Sequence, residues 1–115
     1  MAHPELVDHE IVLFSGRLGT QTVRVWLEPN GSGVSLLSHD IGPALEASFG
    51  AEDIETFLTI RGENLPRLAD LLGCAATVDG VTRALCDRFA GDSAATSHLR
   101  SLLDDSGISY EFHLV

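Results

Sequence analysis

The stretch from Ser38 to Gly73, SHDIGPALEASFGAEDIETFLTIRGENLPRLADLLG, decides the fold because it separates a first group of strands from a later group of helices. Proline and glycine predict a short helix from Pro43 to Gly50. Ile54–Arg61 fits helical or strand spacing, and its β-branched residues favour a strand. A Leu-rich helix is then predicted from Asn64 or Leu65 to Gly73. Its apolar stripe consists of Leu65, Leu68, Leu71 and Leu72.

Three strands are predicted ahead of this stretch, separated by two glycine-containing turns. Apolar and polar side chains alternate in the second strand, as they do in strands with one buried face. The turn signals Gly16–Gly19 and Pro29–Gly33 favour antiparallel connections. We expect an antiparallel meander, with the chain leaving the sheet at His39–Gly42. The predicted strands are Ile11–Phe14, Thr22–Glu28 and Val34–Ser38.

Two helices and a last strand are predicted after the stretch. The first of these helices runs from a cap at Asp79 to Ala90, and the second begins at Asp92 or Ser93. Apolar and polar residues alternate from Ile108 to Val115, which is typical of a strand. We therefore expect one domain, residues 1–115, of the α+β class. It would contain a mostly antiparallel sheet of about five strands with three helices packed on one face.

The chain has 115 residues and a net charge of −10. This charge argues against binding to nucleic acid or anionic membranes, since both are polyanions. It favours a basic partner or, alternatively, serves only solubility. Met1–Glu10 has neither the basic start nor the apolar core of a signal peptide, so we expect a cytoplasmic protein. Cys74 and Cys86 follow no metal or redox spacing, and we expect two small buried thiols, with a disulfide as the alternative.

The residues form no recognisable catalytic or metal-binding motif. The five histidines are scattered, without the spacing of a metal-binding pair on a helix. Gly31-Ser32-Gly33 lacks the pattern of a nucleophile elbow or a phosphate-binding loop and reads as a hairpin turn. We predict that the protein is not an enzyme and binds no cofactor or metal ion. The carboxylates that remain candidates for acid–base chemistry are Asp40, Glu52, Asp53 and Glu55.

Acidic residues are concentrated between residues 40 and 55. A cluster of carboxylates on a rigid frame can steer and hold a basic protein surface. The alternative is a solvated acidic face without a partner. The predicted partner-binding residues are Asp40, Glu46, Glu52, Asp53 and Glu55.

A second candidate patch depends on whether one face of the sheet is open. Trp26 and Arg24 lie opposite the apolar face of their strand, and an open face would place them near Phe57 and Arg61. Alternatively, Trp26 packs under a helix with its indole N–H hydrogen-bonded. The secondary partner-binding residues are Arg24, Trp26, Phe57 and Arg61.

Several turn and cap motifs of the chain resemble those of a group of small acidic bacterial proteins. These proteins look like the immunity partners of polymorphic toxins, including toxins of contact-dependent growth inhibition. The group carries aromatic residues beside the glutamate that Glu55 matches, whereas this chain has Ile54 and Thr56. The matching residues are Asp40-Ile41-Gly42-Pro43, Phe49-Gly50, Asp53-Ile54-Glu55, Asn64-Leu65-Pro66-Arg67-Leu68, Leu72-Gly73 and the final strand Ile108–His113.

The resemblance implies a cytoplasmic inhibitor that binds and neutralises one cognate toxin. Together with the charge, it suggests that the toxin has a basic face, as a nuclease does. We expect the inhibitor itself to be a monomer or a weak homodimer. Two other hypotheses remain open. One is a general interaction or regulatory module that dimerises through an open sheet face or an edge strand. The other is a small enzyme that uses buried carboxylates.

Overall fold

The computed structural model describes residues 10–43, 45 and 50–115. Its five strands form one antiparallel sheet in which the spatial order equals the chain order. Three α-helices among the described residues accompany this sheet, which confirms the predicted α+β class. The strands are β1 (Ile11–Leu18), β2 (Gln21–Asn30), β3 (Gly33–Ile41), β4 (Asp53–Ile60) and β5 (Glu111–Leu114). A 3₁₀ helix (Gly62–Asn64) precedes α1 (Leu65–Leu72), α2 (Val78–Phe89) and α3 (Ala95–Ser106).

The helices pack against one face of the sheet. Inward-pointing residues of β2 are buried, as their alternation predicts, and join the helical residues in one apolar core. Val81 and Leu85 of α2 and Leu99 and Leu103 of α3 are fully buried in it. The core residues contributed by the sheet are Leu13, Val23, Val25, Leu27, Val34, Leu36, Leu58 and Ile60.

β1 and β3 are both longer than predicted. β1 continues to Leu18, past Gly16, and contains an irregularity between Val12 and Phe14. β3 continues to Ile41, so the prediction that His39–Gly42 leaves the sheet is wrong for the first three of these residues. They stay in the sheet because both neighbouring strands pair with them. Pairing along the whole length of β3 brings Asp40, Asp53 and Glu55 into the sheet.

Three further details of the prediction are corrected. Thr77, rather than Asp79, caps α2, because its hydroxyl accepts a 2.9 Å hydrogen bond from the Gly80 amide. Leu71 is 43% exposed, since α1 buries Ala69 and not Leu71 beside Leu65 and Leu68. The last strand is only Glu111–Leu114, although Ile108 is buried as predicted.

Three remaining predictions concern the short helix, the two cysteines and the membrane. The predicted short helix from Pro43 to Gly50 falls mostly on residues 44 and 46–49, which lie outside the described residues. Cys74 and Cys86 are free and half-buried. No helix in the described part of the chain is both long and apolar enough to cross a membrane.

Candidate functional site

The face of the sheet opposite the core, which we call the open face, has none of the described helices packed on it. Residues paired directly across antiparallel strands point to the same side, so its side chains form rows that run across the strands. The central row is Val12, Trp26, Leu37, Phe57 and His113. The adjoining row is Ser15, Arg24, His39 and Glu55.

The centre of the open face is apolar and aromatic. Leu37 is only 8% exposed, although it lies outside the core cluster. It owes this burial to its position between the half-buried Trp26 and Phe57 on the neighbouring strands. A buried leucine between two aromatic side chains gives the face a centre of the type found in protein interfaces.

Trp26 lies on the open face, where none of the described helices covers it, so the alternative of packing under a helix is not met for its position among the described residues. It is right for the indole N–H, which donates a 2.8 Å hydrogen bond to the carboxylate of Glu28. The guanidinium of Arg24 lies 4.4 Å from the centroid of the ring and also bonds Glu10. These contacts bring together three of the four secondary candidates on one face, since Phe57 occupies the same row as Trp26.

Arg61, the fourth secondary candidate, lies just beyond the end of β4. Its guanidinium bonds the carboxylate of Glu111, and its side chain is 62% exposed. Glu111 pairs with Thr59, which places it on the open face. Arg61 therefore belongs to the rim of this face, away from the aromatic centre.

Three of the predicted acidic residues form what we call the acidic corner, namely Glu52, Asp53 and Glu55. Glu52 is exposed and its carbonyl accepts a 2.9 Å hydrogen bond from the Gly42 amide, which closes the β3–β4 connection. The side chains of Asp53 and Glu55 are 66% and 46% exposed. Both lie on the open face at the start of β4, where their carboxylates meet the ring of His39.

His39 was missed by sequence reasoning. Its Nε2 atom bonds Asp53 and lies 4.0 Å from the carboxylate of Glu55. Apolar and polar residues do not alternate regularly from Val34 to Ile41, so the pattern offered no signal for His39. Recognising it required β3 to extend beyond Ser38.

Asp40 is separated from the acidic corner by the thickness of the sheet. It points to the helical side, where it lines a cleft of about 190 Å³ together with Ser38, Thr56 and Arg100. Burial raises the pKa of its carboxyl, although a 3.1 Å hydrogen bond from Gln21 and the nearby His39 act in the opposite direction. Glu46 lies outside the described residues. The five predicted acids therefore do not form a single surface among the residues described.

Ionisable groups of the described residues come together in this cleft, at the acidic corner and in the pair of His98 of α3 and Asp92 just before α3, whose Nδ1 and carboxylate oxygen lie 2.6 Å apart. No group of three His, Cys, Asp or Glu side chains within residues 10–43, 45 and 50–115 is arranged to hold a metal ion. In the cleft, Asp40 adjoins hydroxyl groups and one guanidinium. At the corner, the carboxylates face solvent and one imidazole, an arrangement suited to binding cationic groups.

Comparison with known proteins adds no assignment: no protein-family model, curated protein or solved structure matches the chain.

Proposed function

We propose that this protein is a non-enzymatic inhibitor of the immunity type, which binds a cognate bacterial toxin through the acidic corner and neutralises it. The observation that carries the proposal is the grouping of Asp53 and Glu55 at one end of the open face, with the exposed Glu52 in the adjoining β3–β4 connection. The resemblance of the turn motifs to those of immunity proteins and the net charge of −10 support it.

The acidic corner is held on a rigid frame. Asp53 and Glu55 belong to β4, which pairs with β3 on one side and β5 on the other. Glu55 also exchanges two backbone hydrogen bonds with Val115, of 3.0 and 2.8 Å. Carboxylates held in this way lose little conformational freedom when a partner binds, because their backbone is already ordered.

The charge of the corner defines the chemistry of the partner. Carboxylates attract arginine and lysine side chains over a range set by salt screening, and they increase the rate of encounter with a basic surface. A nuclease carries such a surface because it binds phosphates. Inhibition would follow from occupation of the substrate's place by the acidic corner.

The aromatic centre supplies the apolar part of the same surface. Interface energy is concentrated in a few aromatic and arginine side chains surrounded by a polar rim. Trp26, Phe57 and Arg24 lie within one or two strands of the acidic corner on the same face. A toxin docked at the corner would therefore also contact this centre.

Co-expression tests the proposal directly. The toxin probe is the C-terminal domain of the large secreted protein that the proposal expects to be encoded next to this gene. Growth should continue when the wild-type chain is present and stop when it carries Glu52→Gln, Asp53→Asn and Glu55→Gln together. The matched control neutralises three exposed acids of the helices, with Asp70→Asn, Asp87→Asn and Asp105→Asn, and should protect as well as the wild type. Persistent growth arrest with the wild-type chain, and no co-purified complex, would refute the proposal.

A further inference from the structure

The open face differs in charge from the rest of the chain. Its register brings Arg17, Arg24, Glu28, Asp53, Glu55 and Glu111 to this side, and Arg61 joins them by bonding Glu111. Glu10 joins them as well by bonding Arg24, so three basic side chains stand against five acidic ones, whereas the whole chain carries a charge of −10. Two copies of an acidic chain repel each other on most approaches, and this repulsion is smaller where the facing surfaces are closer to neutral.

One row of the face places opposite charges on the two sides of the central strand β3. In that row Arg24 lies on β2 and Glu55 lies on β4, with His39 of β3 between them. Glu10 and Glu28 also lie on the side of Arg24, so exchanging the two sides brings opposite charges together in this row and not over the whole face. The row itself is complementary to its own copy when the two sides of β3 are exchanged.

We propose that a second copy of this chain covers the open face, related to the first by a two-fold axis that runs along β3. This operation places β2 of one copy over β4 of the other and keeps each cross-strand row facing the same row. Closed two-fold pairing of one surface with itself is the commonest form of protein oligomer.

The contacts that follow from this symmetry are specific. In the central row, Trp26 faces Phe57 of the second copy, and Leu37 on the axis faces its own equivalent. In the adjoining row, Arg24 faces Glu55 of the second copy, while His39 lies on the axis. Each contact away from the axis occurs twice. Stacked sheets cross at about −30° because of their twist, so the match is closest in the rows near the middle of β3.

The side chains needed for these contacts are accessible. The side chains of Arg24 and Glu55 are 37% and 46% exposed, and each lies at the side of the row away from the axis. Within one chain they are two strands apart, with His39 between them, so they do not need each other for folding. Arg24 can exchange Glu10 for Glu55 of the second copy and remain stacked on Trp26.

The size of the face indicates a weak dimer. Five strands spaced by about 4.8 Å, with about seven residues each at 3.3 Å per residue, give a face of roughly 550 Å². Stable interfaces bury about 800 Å² on each partner. We therefore expect an equilibrium between monomer and dimer that depends on protein concentration.

This inference stands apart from the proposed function and is tested with the protein alone. Glu55 belongs both to the acidic corner and to the dimer contact. A toxin bound at the corner and a second copy on the open face therefore exclude each other.

Sedimentation equilibrium of the purified chain from micromolar to millimolar concentration tests the proposal. We expect dimerisation that weakens about tenfold or more with Arg24→Glu and likewise with Glu55→Arg, because each variant places like charges face to face. The double variant Arg24→Glu with Glu55→Arg should dimerise again, since the swap restores both pairs. Its recovery also shows that the exchanged residues permit folding.

Two control variants change the charge by the same amount elsewhere on the chain. They separate the effect of this contact on dimerisation from the effect of net charge. Arg83→Glu and Asp79→Arg alter a solvent-exposed pair on α2, away from the open face, and should leave dimerisation within about twofold of the wild type. A monomer at every concentration would overturn the proposal. So would a dimer that is insensitive to the single variants, or one that the double variant fails to restore.

Discussion

The guanidinium of Arg24 stacks on the ring of Trp26, with 4.4 Å between the guanidinium carbon and the ring centroid. The two residues are two positions apart on the same side of β2, where the two-residue period of a strand places side chains together. This pair connects the charged and the aromatic parts of the open face. Its contribution to folding can be measured apart from any binding.

A double-mutant cycle with Arg24→Gln and Trp26→Leu isolates the stacking energy, because the bonds to Glu10 and Glu28 cancel between the two sides of the cycle. We expect a coupling free energy of about 0.5–1 kcal/mol, as for partly exposed cation–aromatic pairs. The measurement is urea unfolding followed by far-ultraviolet circular dichroism. A coupling energy indistinguishable from zero would show that the stacked geometry contributes nothing to stability.

The boundary of the core on the helical side is tested by two leucines. Leu99 of α3 is 0% exposed and Leu71 of α1 is 43% exposed. Leu99→Ala should lower the free energy of unfolding by about 2–5 kcal/mol, through lost burial and the cavity that remains. Leu71→Ala should change it by about 0.5 kcal/mol or less. Equal losses in the two variants would contradict the described orientation of α1.

Asp40 should make stability depend on pH. Burial raises the pKa of its carboxyl above the ordinary value of 3.8, so the folded protein retains this proton over a range of pH in which the unfolded chain has lost it. The contribution of this carboxyl to the free energy of unfolding therefore falls as pH rises above about 4.

The variant Asp40→Asn removes this titration and keeps an oxygen that can accept the hydrogen bond from Gln21. Its advantage in urea midpoint over the wild type should grow from pH 4 to neutrality and vanish at lower pH. All other carboxyls are common to both proteins and cancel in the difference. A difference that stays constant with pH would contradict the burial of this carboxyl.

Gly73 ends α1 in the left-handed conformation, with φ of 72° and ψ of 40°. A Cβ atom added there would meet nothing within 4 Å, so the cost of a substitution is conformational and not steric. Gly73→Ala should destabilise the protein by about 1–2 kcal/mol, and Gly73→Asn by less, since asparagine tolerates this region. Chemical unfolding of both variants checks this order. Equal stability of Gly73→Ala and wild type would exclude the described cap.

Local patterns in the sequence account for most elements of the fold. The alternation in β2, the β-branched residues of β4 and the glycine stops of the helices all predicted structure that is observed. The extension of β3 through His39, Asp40 and Ile41 was not predictable in this way. It depends on pairing with β2 and β4, which is a property of the sheet and not of these residues.

The candidate site could be predicted only in part, for a related reason. Acidic residues close together in the chain were treated as one surface, but alternation along β3 and β4 sends Asp40 to the helical side and Asp53 to the open face. Trp26 and Phe57 were placed correctly only under the condition that one face is open. That condition is decided by the packing of α1, α2 and α3, which periodicity within a single strand does not reveal.

Calorimetric titration of the purified chain with the toxin probe of the co-expression test examines the central claim most directly. We predict binding with one toxin per chain, an affinity that falls as salt concentration rises, and a loss of at least about tenfold in affinity with Asp53→Asn and Glu55→Gln. Asp87→Asn with Asp105→Asn should bind as the wild type does. The absence of binding, or an affinity that the two acidic-corner substitutions leave unchanged, would contradict the account.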